Sequence, residues 1–135
     1  MCEIISNVGD HAGAVWRALH EQGSLSEQEL LRLAHLTEQQ LHAAVGWLAR
    51  ENKIIKANDT YALGETNLAV TIGKDAGKVW RVLDIWGEVD VVSLSRLTRI
   101  MEHDVFSAMG WLAREGKIEK ASTTDEENKI ILCLK

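Results

Sequence analysis

The chain has 135 residues, of which 46% are hydrophobic and 26% charged, and its formal net charge is −5. The overall negative field does not attract polyanions, so any nucleic-acid contact needs a local basic patch. The chain contains no run of 18 apolar residues, so no membrane span is predicted. Its first ten residues lack the cationic and apolar parts of a signal peptide. We therefore expect a cytoplasmic protein with no membrane partner.

Three helices are predicted in the first half of the chain. The first has apolar residues at helical spacing (Ala12, Val15, Trp16 and Leu19) and ends before Gly23. The segments Ser26–Glu29 and Thr37–Gln40 have the capping-box pattern, and each predicts the start of a further helix. The second helix has the stripe Leu30, Leu33 and Ala34, and the third has Leu41, Ala44, Val45 and Leu48. Only about three residues separate these two helices.

A β-hairpin follows the three helices. Ile54 and Lys56 alternate before a turn at Asn58–Thr60, and Tyr61 and Leu63 alternate after it. The residues around Leu25, and their counterparts at 88–90, are candidates for a short additional strand. The predicted order is helix, short strand, helix, tight turn, helix and two-stranded ribbon.

The chain contains an internal duplication. When it is shifted by 64 positions, residues 9–57 align with residues 73–121 without a gap, and 23 of those 49 pairs are identical. Chance does not give this agreement, so we predict two domains, residues 1–64 and 65–135, in fixed contact. The second copy has Met101 where Thr37 provides a helix cap, and its hairpin (121–135) is longer.

One glycine falls in the middle of the third helix of each copy, in GWLARENKI (46–54) and GWLAREGKI (110–118). A mid-helix glycine costs about 1 kcal/mol relative to alanine, so Gly46 and Gly110 need a compensating contact. Close approach of another backbone is the usual reason, and Gly13 and Gly77 on the first helix of each copy are candidate partners. We expect the rest of both segments to be core, with Trp47 and Trp111 as large apolar groups.

The element order and two motifs identify a resemblance. The pattern AGxVWxxL at 12–19 and 76–83, followed by the GWLAREGKI type of ending, resembles a bacterial and archaeal winged helix-turn-helix family of unknown function. The resemblance covers both repeats. It implies an α+β, mainly helical fold of two tandem winged-helix domains, in a superfamily dominated by DNA-binding regulators. The fold alone does not fix the function.

In a helix-turn-helix protein the third helix of such a unit enters the major groove. We expect its outward positions to be Glu38, Gln39, His42, Ala43 and Gly46 in the first copy, and Glu102, His103, Phe106, Ser107 and Gly110 in the second. Gln39 and His103 are candidate base contacts, and His42 and Ser107 are further candidates. None of the ten positions is an arginine or lysine, and the predicted wing tips, 58–60 and 123–128, carry no cation.

Cations occur elsewhere. Arg32, Arg96 and Arg99 lie on or just after the second helix of each copy, which crosses the DNA backbone in this motif, and Lys117 and Lys120 lie near the base of the second ribbon. These five residues are candidate phosphate contacts. Taken singly, each is more simply explained as a solvated surface charge.

The remaining patterns are not those of an enzyme. No metal-ligand spacing, phosphate-binding loop or nucleophile–base pair occurs, so we expect no catalytic activity, metal, cofactor or small-molecule substrate. Trp86 has no aromatic counterpart in the first copy, where Gln22 stands. Trp86 and Phe106 either pack between the repeats, which is the commoner fate of large aromatics, or form an anchor for a partner.

Two hypotheses of function remain. The first is a nucleic-acid-associated regulator that binds duplex DNA, and it is supported by the superfamily and by the arginines of the second helices. The second is a protein–protein adaptor, or a self-associating protein, whose winged helices do not bind DNA. The superfamily favours the first, whereas the missing cations on the third helices favour the second.

Overall fold

A computed structural model describes residues 3–123 and 130–134. The first half contains α1 (Glu3–Gln22), β1 (Leu25–Ser26), α2 (Glu27–Ala34), α3 (Glu38–Arg50), β2 (Ile54–Ala57) and β3 (Thr60–Leu63). The second half repeats this order with α4 (Ala69–Trp86), β4 (Val89–Asp90), α5 (Val91–Thr98), α6 (Glu102–Arg114), β5 (Ile118–Thr123) and β6 (Ile130–Leu134). The structure thus has the predicted element order twice, including both short strands.

Each half carries a three-stranded antiparallel sheet in the same order. The first is β1-β3-β2, with Leu25 opposite Tyr61, and the second is β4-β6-β5, with Val89 opposite Leu132. The short strands β1 and β4 lie between the first and second helices of their repeats, and each pairs with one strand of its ribbon. This arrangement is that of a winged helix, in which the ribbon packs beside the three-helix unit.

The predicted capping boxes are present. Ser26 accepts a hydrogen bond from the Glu29 backbone N–H, and the Glu29 carboxylate accepts one from the Ser26 backbone N–H. Thr37 and Gln40 make the same reciprocal pair at the start of α3. Met101, which begins α6 with nearly the same backbone angles as Thr37, makes no side-chain cap. The capped starts of α2 and α3 follow from residues three positions apart, as the sequence predicted.

The core consists of two clusters that exchange residues. The cluster of the first half includes Leu19, Leu30, Leu48 and Tyr61, and it also contains Ile72 from α4. The cluster of the second half contains Val8 from α1, the residue that the 64-residue shift matches with Ile72. Because each half completes the core of the other, the two repeats are held in fixed contact.

The join between the halves is hydrogen-bonded to the first ribbon. The Asn67 side chain accepts a hydrogen bond from the Lys56 backbone N–H, and its amide donates to the Lys56 carbonyl. The Thr66 backbone N–H donates to the Asn52 side chain. A junction tied down in this way does not act as a loose tether.

For two residues the prediction that they lie in the core is wrong. Trp16 and Leu33 are both more than one-third exposed, although each belongs to an apolar stripe. The Trp16 ring stacks on His20 at the surface of α1, with the ring centroids 4.8 Å apart. The buried faces of α1 and α2 are therefore narrower than the spacing of their apolar residues predicted.

Candidate functional site

The third helices of the two repeats, α3 and α6, pack directly on each other. A Cβ placed on Gly46 would lie 1.8 Å from the Ser107 carbonyl oxygen, and one on Gly110 would lie 1.8 Å from the Ala43 carbonyl oxygen. The two helices therefore approach each other backbone to backbone, a contact that any larger side chain would prevent. The expected close approach is present, but the proposed partners are wrong, since a Cβ on Gly13 or Gly77 meets nothing within 4 Å.

A pair of reciprocal contacts flanks this crossing. Arg50 Nε lies 3.2 Å from Glu115 Oε2, and Arg114 Nε lies 3.1 Å from Glu51 Oε2. Each guanidinium also lies over the tryptophan of the opposite repeat, Arg50 at 5.6 Å from the Trp111 ring centroid and Arg114 at 5.8 Å from that of Trp47. The GWLARE segments thus join the two repeats through matched arginine, glutamate and tryptophan side chains.

The tryptophans also fill space beside the first helices. Trp47 lies against Gly9, where a Cβ would be 3.2 Å from the ring, and Trp111 lies against Gly73 at the same distance. Both rings contact the two hydrophobic clusters. Trp47 and Trp111 are therefore shared by the two cores, which explains why the duplicated segment is so similar in both copies.

This packing overturns part of the expected outward face of the third helices. Phe106 is 4% exposed and Ser107 is 6% exposed, and Ala43, Gly46 and Gly110 are buried as well. Phe106 is therefore a core residue and not a surface anchor, and Ser107 donates a hydrogen bond to the His103 carbonyl of its own helix. These positions are covered because the other third helix occupies the side on which DNA was expected.

The remaining candidate base contacts lie at the edges of the crossing. Gln39 is exposed and His42 is mostly buried, with its Nε2 3.2 Å from Glu27 Oε1. The His42 and His103 rings are 4.9 Å apart. Burial lowers the pKa of His42, although the neighbouring Glu27 carboxylate acts in the opposite direction. The two histidines thus form a contact between repeats, and the structure brings His42 to this interface and away from open solvent.

The two edges of the crossing are chemically different. Asp104 lies 3.4 Å from His103, and burial and then the Asp104 charge raise the pKa of the Asp75 carboxyl. At the opposite edge, a cavity is lined by five apolar and five polar residues, namely Val8, Ala43, Phe106, Met109 and Ile130 with Asn7, His11, Thr37, Gln39 and Gln40. The repeats match in fold, but Phe106 stands at the position that matches His42, so an apolar ring at one edge corresponds to an imidazole at the other.

The candidate phosphate contacts differ in their ion pairing. Arg32, Arg96 and Arg99 are exposed, and none has an acidic partner within 4 Å among the residues described. Lys117 differs, because its Nζ lies 3.5 Å from the Glu115 carboxylate. The Lys120 side chain and the acidic wing tip at 124–129 lie outside the described residues. Arg99 ends α5 in the left-handed conformation, which His35 adopts at the end of α2.

Trp86 is 65% exposed at the last residue of α4, so packing between the repeats is the wrong alternative for this side chain. Ile85 and Leu97, which were not predicted as site residues, are 71% and 49% exposed. A signal for Ile85 was present in the sequence, since the first copy has Glu21 at the matched position. A residue that changes from charged to apolar between two copies of one fold is a candidate for a surface role.

Within residues 3–123 and 130–134, no group of three or more His, Cys, Asp or Glu side chains is placed to hold a metal ion. The helices of that region are also too short or too polar to cross a bilayer.

The fold and this interface define a tandem winged helix-turn-helix protein whose two third helices pack against each other. Comparison with known proteins gives the family. The winged helix-turn-helix domain family (DUF2582) matches residues 2–63 and again residues 65–134, and the chain belongs to this family. No curated protein and no solved structure gave a significant match. The resemblance and the fold class predicted from the sequence are confirmed.

Proposed function

We propose that the chain is a non-catalytic protein-interaction module, in which the two winged helices, residues 1–64 and 65–135, act as one rigid unit and do not read DNA bases. The observation that carries this proposal is the backbone contact of α3 with α6 at Gly46 and Gly110. This contact favours the protein-interaction hypothesis over the DNA-binding hypothesis that the superfamily favoured. The surface that reads bases in this motif is here occupied by the other repeat.

In this motif the third helix lies in the major groove with one free side, and its N-terminal residues contact base edges. On α3 and α6 that side is limited to the first turns, where Glu38, Gln39, Glu102 and His103 remain exposed. Two of these four are carboxylates, which repel phosphate. Separating the repeats to free the helices would expose the Phe106 side chain and break both arginine–glutamate pairs.

The ribbons give no compensating support for DNA binding. The turn of the first ribbon contains Asn58 and Asp59. Two of the cations at the ribbon bases lie beside acids, with Lys53 Nζ 3.8 Å from Glu51 and Lys117 Nζ 3.5 Å from Glu115, whereas Lys56 lies over the Tyr61 ring. Phosphate would have to displace these carboxylates. Since neutralisation of phosphates supplies most of the affinity of such complexes, we expect little binding through the wings.

A second candidate function is sequence-independent contact with the DNA backbone. The exposed arginines of α2 and α5, namely Arg32, Arg96 and Arg99, favour it, because in the described structure they lack acidic partners within 4 Å. This role would retain the link of the winged helix-turn-helix fold to nucleic-acid regulation without a reading helix. It predicts binding that depends steeply on salt and not on sequence.

Fluorescence anisotropy with labelled duplex DNA tests these alternatives. Selection from a random duplex pool at low salt, followed by titration, should give no enriched sequence if the module does not read bases. The variant R96E/R99E, with R17E as a control on α1, tests backbone contact. If two phosphate contacts are lost, the slope of log K against log salt should fall by about 2. Recovery of a sequence bound about 1,000-fold more tightly than bulk DNA would overturn the proposal.

A further inference from the structure

Three apolar side chains are exposed where α4 ends and α5 packs beside it. Ile85, Trp86 and Leu97 are 71%, 65% and 49% exposed, and the first two end α4. A single exposed apolar residue is ordinary on a protein surface, whereas several around one groove mark an interaction site. Their position away from the α3–α6 crossing makes them independent of the contact between repeats.

The first repeat shows the groove that the matched helices form. Between α1 and α2 a groove is lined by Ala14, Arg17, Ala18, Glu21, Gln22, Leu33, Ala34 and His35. The helices of the second repeat correspond closely, since α2 and α5 both have 8 residues and both end in a left-handed residue. From this correspondence we infer a matched groove in the second repeat, which we call the α4–α5 groove. Its positions, eight in all, are Lys78, Arg81, Val82, Ile85, Trp86, Leu97, Thr98 and Arg99.

The chemistry of the two grooves differs although their backbones match. Glu21 and Gln22 of the first repeat are replaced by Ile85 and Trp86, and the change adds a large apolar surface. Ala14 and His35 are replaced by Lys78 and Arg99. Arg17 of the first groove is matched by Arg81 of the second. The α4–α5 groove thus has an apolar centre and a cationic border, and tryptophan and arginine are the residues most often found as binding hot spots.

From this combination we propose that the α4–α5 groove binds an acidic amphipathic segment of a partner protein. Arg81 and Arg99 make no ion pair within 4 Å with another described residue, so their charge is available to carboxylates of a ligand. Lys78 makes no such pair either, but its charge already acts on the Asp75 carboxyl. A two-fold dimer through the same face would place these cations opposite those of the second copy, which disfavours self-association. Apolar residues of the ligand would cover Trp86 and Ile85, as in other helix-in-groove complexes.

This inference rests on the proposed function and is tested with the full-length chain. The probe is a fluorescein-labelled helical peptide with leucines along one side and glutamates on both flanks, followed by anisotropy. A matched peptide carries lysine in place of each glutamate. The variant I85E/W86Q gives the groove the residues of the first repeat, which the same fold already accommodates at the matched positions. The variant R81E/R99E tests the charge, and Q22A/L33A in the first groove is the control.

We expect the acidic peptide to bind the wild type, the lysine peptide to bind at least about 10-fold more weakly, and both groove variants to lose at least about 10-fold in affinity. The control variant should bind as the wild type does. No binding at about 1 mM peptide, or equal binding to I85E/W86Q, would sink the docking surface. If sedimentation shows that the wild type forms a dimer and I85E/W86Q does not, the occupant of the groove is a second copy of this chain and not a partner segment.

The two proposals fail in different experiments. If the peptide does not bind and the DNA selection enriches nothing, the groove is wrong and the interaction module remains. If the selection recovers a specific duplex, the interaction module is wrong whatever the peptide does.

Discussion

Gly46 of α3 lies against the main chain of Ser107 in α6, and the 64-residue repeat places Gly110 against Ala43 in the same way. This reciprocal contact fixes the repeats side by side and covers the surface with which related folds read DNA. It also explains why two glycines persist in helices that they weaken.

The first prediction concerns these glycines. G46A or G110A should destabilise the protein by about 1–3 kcal/mol or more, because the new methyl group overlaps a main-chain carbonyl that cannot move alone. G13A and G77A are matched controls in exposed helix positions with open space around them, and each should stabilise the protein by about 0.5–1 kcal/mol. Urea unfolding of the four variants gives the comparison. Equal effects at all four positions would mean that α3 and α6 do not touch.

A second prediction concerns the cap that the second repeat lacks. M101T should stabilise the protein by about 0.5–1 kcal/mol, since Met101 already has the backbone angles of an N-cap residue and only lacks the oxygen. T37A should cost about 1 kcal/mol at the equivalent position. M101A separates the effect of the hydroxyl from that of removing an exposed methionine, and thermal or urea unfolding gives the values. If M101T is no more stable than M101A, the capping explanation is wrong.

The third prediction concerns the arginine–glutamate pairs between the repeats. E51Q and E115Q should each lower the free energy of unfolding by about 0.5–1 kcal/mol, because both guanidinium groups are about half exposed and water weakens the pairs. Raising the salt concentration should reduce the difference from the wild type. A double-mutant cycle of R50M with E115Q isolates the coupling, and R17M with E115Q provides a distant control. A coupling energy of zero would assign the contact to packing on Trp111 alone.

The fourth prediction is a pH dependence carried by His42. Burial lowers its pKa in the folded protein, so below pH about 6.5 the unfolded chain takes up the proton first and is favoured. Stability should therefore fall as the pH decreases from about 7 towards 5, and H42N should reduce that fall. The groups that face this imidazole are Glu27, His103, Asp104 and Lys56.

Asp75 at the same edge has the opposite effect. Because burial raises its pKa, the folded state holds the proton longer, and the stability from Asp75 is lost as the pH rises above about 3.9. The measurement is therefore repeated in a D75N background. An unchanged pH profile in H42N would exclude His42 as the titrating group.

Local structure could be predicted because its causes lie within a few residues. The Ser26–Glu29 and Thr37–Gln40 pairs bond across three positions, and the alternation around Ile54 and Tyr61 fixes the ribbon. The repeat then transfers these assignments to the second half. Even the need for a close contact at Gly46 followed from the cost of glycine in a helix.

The identity of the contacting surfaces could not be predicted in this way. An apolar or small residue indicates that a position is covered, but it does not indicate what covers it. From the sequence, Gly13 was therefore as plausible a partner for Gly46 as α6, the third helix of the second repeat. The spacing Ala43–Gly46, repeated as Ser107–Gly110, was a signal that the two third helices can meet.

The sequence by itself determined a duplicated winged helix, its caps, its ribbons and its family, because these depend on neighbouring residues and on the repeat. The tertiary structure alone decided that α3 and α6 face each other, that Phe106 is buried and that Trp86 is exposed. The physical reason is that burial depends on the sum of contacts from distant segments, and two copies with one backbone can place matched residues in different surroundings.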